Sequence, residues 1–391
     1  MTVKDNRPQE LRLAFTLSTV IAFRMLGLFL ILPVFMVLAQ DIPGFTPQIG
    51  GIAVGIYGLT QAILQQPFGW LSDRWGRRPV LLMGLFLFAV GGAVAALADS
   101  MPQLIAGRAL QGCGAIAGVA MAFAADFTRV ERRPISMAII GMGIGGAFLL
   151  SMMLSVPLAL LLGLNGLFWL TSALGVCGMV MIFFTPRSMP LPEAETGPSK
   201  VDMKPVRLLA LSVFLLHAVM TLLFVVLPPM LVGQYAFLLS DHWKMYVPTM
   251  VISILIMLPM LRRSGKNLSE HRMLPFAFLA LSLSMGLMAF ELPVPVLSLL
   301  LILYFVGFNL LEAAMPSLLS RISGTRGRGR RMGLYSTFQF LGAFTGGVIG
   351  GSLLGWVGSE VALVVAACAC LLWGGVLKAA SKRYFLTSEA R

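Results

Sequence analysis

Four ionisable residues of this 391-residue sequence lie deep inside long apolar runs: Arg24, Arg108, His217 and Glu312. Charge is costly in such surroundings, so each residue is a candidate for function. Glu312 is the only carboxyl group well inside a run, and it could take up and release a proton. Histidine titrates near neutral pH and could do the same, whereas arginine keeps its proton and can only attract or repel other charges. These residue types predict proton coupling or substrate binding within a membrane.

Simpler interpretations of these residues remain open. Glu312 could form a permanent ion pair with Arg24 that only fixes helix packing. His217 could be a hydrogen-bonded packing residue, and Arg108 could organise its neighbours without touching a solute.

The residues must be carried by membrane-spanning helices, because 58% of the sequence is hydrophobic and only 12% is charged. A soluble protein carries roughly a quarter charged residues, and backbone groups in lipid must be hydrogen-bonded within the protein. The sequence therefore predicts an all-α membrane protein. We expect twelve transmembrane helices, at about 13–39, 49–72, 79–98, 102–125, 135–160, 165–185, 206–232, 245–263, 273–291, 294–320, 332–356 and 359–380.

The longest stretch without a predicted span is rich in proline and charge, which is typical of a linker. It separates a six-helix bundle at 1–185 from a second bundle at 206–391, with the linker at 186–205. A basic loop followed by a glycine-rich span occurs once in each half, as expected of parallel repeats in a transporter. In the second half, Gly342, Gly346 and Gly350 recur every four residues, a spacing that lets helices pack closely.

The charges predict the orientation in the membrane. The sequence has 29 lysines and arginines against 16 acidic residues. With a cytoplasmic N-terminus, all basic residues except Arg24, Arg108 and Lys244 fall on the cytoplasmic side, so we expect both termini there. The same bias accounts for the net charge of +13 without a nucleic-acid partner.

Two motifs resemble those of the major facilitator superfamily. The segment after the second span reads GWLSDRWGRRPVL from Gly69 to Leu81, and it resembles the G-x-L-x-D-R-x-G-R-[KR] loop motif. In the fourth span, LIAGRALQGCGA from Leu104 to Ala115 resembles the L-x-x-x-R-x-x-Q-G-x-G-A pattern of proton-coupled members.

The resemblance implies two six-helix bundles whose first, fourth, seventh and tenth helices line a central cavity. The four ionisable residues would then face it, together with polar cavity residues: Gln61, Gln65, Asn309, Tyr335 and Gln339. It also implies a cytoplasmic gate, in which a charge latch forms and breaks as the cavity changes sides. The gate residues are Gly69, Asp73, Gly76, Arg77, Arg78 and Asp126. A further partner for the latch is expected at the start of the eleventh span, near Met332.

Longer stretches narrow the resemblance to YajR-type transporters of the twelve-span drug:proton antiporter branch. They include FRMLG from Phe23, GIYGLTQ from Gly55, FNLLEA from Phe308 and YSTFQFLG from Tyr335. Such proteins can carry a small soluble C-terminal domain, which we expect to be absent here. Antiporters of this branch carry a Gly-Pro pair late in the fifth span, where this sequence reads MLSVPL from Met153 to Leu158.

We expect a secondary transporter, not an enzyme, that exports lipophilic or cationic small molecules against protons by alternating access. No ATP-binding phosphate loop occurs in the sequence. Two alternatives are an importer or facilitator, possibly of a soft metal given 25 methionines, and a sensor that transports nothing. The expected partners are the solute, protons and membrane lipids, without a cofactor or resident metal. We expect a monomer in the bacterial cytoplasmic (inner) membrane.

Overall fold

The computed structural model describes residues 7–129, 132–185, 202–267, 270–323 and 328–384, which form thirteen α-helices and no strand. In chain order they are α1 (Arg7–Phe29), α2 (Leu32–Leu38), α3 (Pro47–Trp75), α4 (Arg77–Ala96), α5 (Met101–Gly112), α6 (Ala117–Phe127), α7 (Arg133–Phe183), α8 (Met203–Gly233), α9 (His242–Asn267), α10 (Glu270–Met288), α11 (Val294–Ile322), α12 (Arg328–Trp356) and α13 (Ser359–Tyr384).

Nine helical segments in the described ranges are long and apolar enough to cross a membrane, and Met273–Met288 is a shorter apolar helix. Large apolar side chains on the helix surfaces are exposed, with Leu161 at 78%, Leu372 at 73% and Leu255 at 63%. Such extensive apolar exposure suits lipid and not water. The prediction of an all-helical membrane protein is thus confirmed, whereas the number of twelve spans and the side of the termini remain predictions.

Helix α7 contains both the fifth and the sixth predicted spans. Its 51 residues would extend about 75 Å as one straight helix, more than twice the hydrocarbon thickness of roughly 30 Å. The backbone leaves the helical conformation at Gly163, where φ is 66° and ψ is −178°. Glycine adopts a positive φ without the steric penalty of a side chain. Gly163 therefore separates two span-length segments, between the predicted ends at 160 and 165.

The fourth predicted span, 102–125, is not one continuous helix. Helix α5 ends at Gly112, and α6 begins five residues later. A Cβ atom on Gly112 would lie 2.3 Å from the carbonyl oxygen of Tyr57, and one on Gly114 would lie 2.4 Å from a backbone oxygen of α4. Only glycine fits at such distances. The sequence did not reveal this interruption because apolar residues continue across it.

The chain divides into two compact units, of which the first comprises Met1–Phe45 and Ile56–Thr196 and the second Thr46–Gly55 and Gly197–Arg391. In the first unit α1 and α4 pack against α7, and α4 also packs against α5. In the second unit α12 packs against α8, and α10 packs against α13 and α11. Most of the predicted linker at 186–205 lies outside the described residues, so the boundaries of the two predicted bundles remain predictions.

Candidate functional site

Three predicted site residues meet in the second unit: His217 of α8, Glu312 of α11 and Gln339 of α12. Gln339 Nε2 lies 2.8 Å from His217 Nε2 and 3.4 Å from Glu312 Oε1. His217 Nε2 lies 3.8 Å from Glu312 Oε2. The side chain of His217 is 8% exposed and that of Glu312 is 36% exposed, whereas the Oε2 atom of Glu312 is itself buried.

The hydrogen bonds indicate where protons sit in this cluster. His217 Nδ1 lies 3.1 Å from the carbonyl oxygen of Val213, which can only accept, so the hydrogen of the contact belongs to Nδ1. The Nε2 atom can then accept from the amide of Gln339. The same amide nitrogen donates to Glu312, whose Oε2 has no hydrogen-bond partner among the described residues. Protonation of His217 would place a cation beside that oxygen.

Glycines of α12 bring the cluster together. A Cβ atom on Gly342 would lie 2.1 Å from the carbonyl oxygen of Phe214, and one on Gly346 would lie 2.0 Å from that of Ala218. Both pairs are spaced by four residues, so α8 and α12 approach backbone to backbone over a helical turn. This close approach, of the kind that small residues allow between membrane helices, brings the histidine and the amide of the cluster within hydrogen-bond distance.

Replacing Gly346 with alanine should lower the apparent Tm of the detergent-purified protein by several degrees. The new methyl group would force α12 away from α8, and overpacking of this kind costs about 1–3 kcal/mol. The matched control is Gly141→Ala in α7, where a Cβ atom meets no atom within 4 Å. We expect the control to leave Tm unchanged or slightly raised, and equal losses in both variants would contradict the packing argument.

Two other predicted cavity residues of this unit have distinct surroundings. Asn309 Nδ2 donates to Ser253 Oγ at 3.1 Å, so Asn309 connects α11 to α9. Tyr335 lies one turn before Gln339 on α12 and is 4% exposed, and its hydroxyl has no hydrogen-bond partner within the described ranges. Ser253 was not singled out from the sequence, because a serine in an apolar run gives no indication of its partner.

The two predicted site arginines come together in the first unit around the ring of Tyr57. The Cζ atom of Arg24 lies 5.6 Å and that of Arg108 5.0 Å from the ring centroid, and all three side chains are almost fully buried. Arg108 Nη1 donates to Gln111 Oε1 at 3.1 Å, and Gln111 Nε2 donates to Thr171 Oγ1 at 2.9 Å. The ring of Tyr57 thus carries two buried cations.

Tyr57, Gln61 and Gln65 follow one another at intervals of four along α3, so they share one face of the helix. All three are buried, and Gln61 has no exposed surface. Both amide atoms of Gln61, Gln65 Oε1 and the Tyr57 hydroxyl have no hydrogen-bond partner in the part of the chain that the structure describes. The two glutamines were predicted from the sequence and Tyr57 was not, although Tyr57 lies four residues before Gln61 and could have been found by that spacing.

The predicted gate residues form an ion-pair network in the first unit, centred on Arg77. Arg77 Nε lies 2.8 Å from Asp126 Oδ2, and Arg77 Nη1 lies 2.5 Å from Asp73 Oδ1 and 2.5 Å from Ser72 Oγ. The side chains of Arg77 and Asp126 are 9% and 20% exposed, whereas that of Asp73 is 63% exposed. Arg77 therefore joins the ends of α3 and α6 through one buried and one exposed ion pair.

The remaining motif residues shape the turn between α3 and α4. Gly76 separates the two helices with φ at 91°, a conformation that favours glycine. Arg78 Nη2 donates to the carbonyl oxygen of Phe183, and its guanidinium lies 5.2 Å from that ring centroid. A Cβ atom on Gly69 would meet no atom within 4 Å, so the helix surface there is open. In the described ranges, no three His, Cys, Asp or Glu side chains are close enough to hold a metal ion.

Solved structures share this fold. A D-xylose-proton symporter has a TM-score of 0.78, with 14% identity over 94% of this chain and 96% of its own. A bacterial homologue of the human lysosomal transporter Spinster, in an inward-facing and occupied conformation, has a TM-score of 0.77, with 14% identity over 98% of both chains. At these identities the likeness shows the fold alone. The fold and the exposed apolar helix surfaces together define a multi-pass helical membrane protein.

The profile of the Major Facilitator Superfamily matches residues 17–323, and the chain belongs to that family. The inner membrane transport protein YajR of Escherichia coli (strain K12) is 38% identical over 376 residues, which are 94% of this chain and 82% of YajR. The multidrug resistance protein MdtH of Aeromonas salmonicida (strain A449) is 28% identical over 340 residues, or 84% of each chain. The protein is thus an inner-membrane transporter of small molecules and not an enzyme.

Proposed function

We propose that the protein is a proton-coupled secondary transporter that exports lipophilic small molecules by alternating access, with Glu312 as the proton carrier. The observation that carries the proposal is the cluster of Glu312, Gln339 and His217. It joins the one acidic side chain well inside a described helix to a titratable imidazole through a single amide. The side chain of Glu312 is 36% exposed, and its carboxyl group can exchange a proton with solvent when water reaches it.

The surroundings of the Glu312 carboxylate depend on whether His217 is protonated. With neutral His217, the carboxylate has one amide donor and a second oxygen without a partner among the described residues. With protonated His217, a cation would lie 3.8 Å from that second oxygen. A change in the cavity that alters the protonation of one residue therefore alters that of the other, which is the coupling that a proton-driven transporter requires.

The direction of transport is supported by family likeness, since MdtH, a relative at 28% identity, is described as a multidrug resistance protein. The runner-up is import or facilitated diffusion, which is favoured by the departure in the fifth span. There α7 runs through Pro157, and Ser155 Oγ donates to the carbonyl oxygen of Leu30 at 2.6 Å. This hydrogen bond ties α7 to the end of α1 where exporters of this branch carry their Gly-Pro pair.

The proposal is tested with the purified protein in liposomes that contain a pH-sensitive dye. Addition of lipophilic solutes one at a time should cause proton movement in the direction opposite to the solute, scaled by the imposed pH gradient. Heat-denatured protein and empty liposomes are the controls. Solute accumulation that responds to no pH gradient would overturn proton coupling, and proton movement in the same direction as the solute would replace export with import.

A further inference from the structure

Arg24 is the least compensated charge in the first unit. Its side chain is 1% exposed, and none of its three guanidinium nitrogens has a hydrogen-bond partner among the described residues. Its aromatic neighbour is the ring of Tyr57, which attracts a cation but accepts no strong hydrogen bond. A buried charge without a partner is strongly unfavourable. Its presence in a membrane helix therefore indicates that something else compensates it during function.

No acidic side chain of this unit lies in a helix interior in the described ranges. The acidic residues there are found at helix ends or in connections, and they are Glu10, Asp41, Asp73, Asp99 and Asp126. Glu10, Asp73 and Asp126 already pair with arginines. Arg24 therefore gives the interior of the unit a positive charge that its own described acidic side chains do not neutralise.

Other polar groups without partners among the described residues lie on the face of α3 that carries Tyr57. The hydroxyl of Tyr57 and the amide of Gln61 are buried without partners in the described part of the chain, and they lie on the α3 face that carries the arginine-bound ring. The interruption between α5 and α6 adds a helix N-terminus, whose unpaired N–H groups carry partial positive charge. Gly118, in the first turn of α6, lies beside the amide of Gln65. Among the described residues, the amide oxygens of Gln61 and Gln65 are unpaired on this face as well, so the formal charge that those residues bring to it is that of the two arginines.

We propose that Arg24, Arg108, Tyr57 and Gln61 form a buried anion site, and that the transported solute carries a carboxylate beside an apolar body. A guanidinium binds a carboxylate through two parallel hydrogen bonds, and Arg24 has its nitrogens available for them. A cationic solute would add a third positive charge to the same region, so the site disfavours the cationic solutes expected from the sequence. This inference rests on the proposed transport function and names the substrate class of the same protein.

The test compares three probes that share a naphthyl body: 1-naphthoate, its isostere 1-naphthamide and the cation 1-naphthylmethylammonium. The full chain is placed in nanodiscs of neutral lipid at fixed pH and ionic strength, and Tm is measured at increasing probe concentration. Naphthoate should raise Tm by a few degrees at saturation, whereas the amide and the ammonium should not. Equal shifts for all three probes would overturn the site, and an equal shift with inorganic phosphate alone would overturn the assignment to an organic solute.

Variants separate an anion site from a structural role of Arg24. Arg24→Gln should raise the Tm of the ligand-free protein, because it removes an uncompensated buried charge, and should weaken naphthoate binding at least tenfold. Arg12→Gln removes an exposed charge from the same helix and should do neither. A lower ligand-free Tm or unchanged naphthoate affinity in Arg24→Gln would overturn the proposal. If Arg24→Gln cannot be purified as folded protein, Arg24→Lys takes its place. Lysine keeps the charge but lacks the planar guanidinium that binds a carboxylate through two hydrogen bonds, so this variant should still bind naphthoate more weakly than the wild type.

The binding measurement is independent of proton coupling. If naphthoate binds but no solute moves protons, the proposed function fails and the anion site stands. If neutral or cationic solutes move protons while naphthoate does not bind, the anion site fails and the proposed function stands.

Discussion

Replacing Glu312 with glutamine should abolish solute-stimulated proton flux in liposomes while exchange of labelled for unlabelled solute continues. Glutamine has the shape of the protonated side chain but cannot release a proton, so position 312, beside Gln339 and His217, would stay uncharged. Exchange needs solute binding and reorientation without net proton transfer. The dye signal should fall to that of empty liposomes, and the exchange rate should stay within a few-fold of the wild-type rate.

Glu291→Gln is the matched control, because it makes the same chemical change at an exposed residue between α10 and α11. It should leave both readouts unchanged. Undiminished gradient-driven transport in Glu312→Gln, with exchange intact, would contradict the role of Glu312. Loss of exchange together with proton flux would indicate that Glu312 supports the fold or the solute site and not the proton step.

The site residues that could best be predicted from the sequence are those of a type that is rare in a membrane helix. An ionisable side chain in an apolar run is identifiable because its cost in lipid is large. His217, Glu312 and Gln339 could therefore be selected one by one, but their meeting could not. It depends on the packing of three helices, including the contact of Gly346 with Ala218. The hydrogen bond to Val213, which sets the imidazole tautomer, depends on a rotamer and leaves no trace in the sequence.

Ion pairs between residues close in the sequence were easier to predict than pairs between distant residues. Asp73 and Arg77 are four residues apart, so their pairing follows from the motif. Asp126 is 49 residues from Arg77, and it was predicted for the gate because it ends the fourth predicted span on the cytoplasmic side; the structure shows the two side chains 2.8 Å apart. The interruption of the fourth span was missed because hydrophobicity does not distinguish a helix from a non-helical apolar segment. Closely spaced glycines such as Gly112 and Gly114 indicate such a segment. The indication is weak in this chain, because glycine is common throughout it.

Asp126→Asn should loosen the gate far more than Asp73→Asn. The pair of Arg77 with Asp126 is mostly shielded from water, and removal of one charge leaves the other buried, at a cost of about 1–3 kcal/mol. Asp73 is 63% exposed, and a pair with such a residue contributes about 0–1 kcal/mol because water screens it. Distance alone would suggest that the Asp73 pair is the stronger one, because it is 2.5 Å long and the Asp126 pair is 2.8 Å long. The two variants therefore decide whether burial or distance controls the strength of the latch.

The measurement is hydrogen exchange by mass spectrometry on the end of α3 and the end of α6, with solute transport as the second readout. Asp126→Asn should speed exchange at both ends about tenfold, which corresponds to roughly 1.4 kcal/mol, and should change turnover. Asp73→Asn should change the rate of hydrogen exchange at these helix ends less than threefold. Arg77 connects the two helix ends through its carboxylate partners. Equal rates of hydrogen exchange in both variants would therefore show that the network does not hold α3 to α6. If Asp73→Asn alters turnover without altering exchange, its carboxylate acts on a partner other than Arg77, as expected for the predicted contact near Met332.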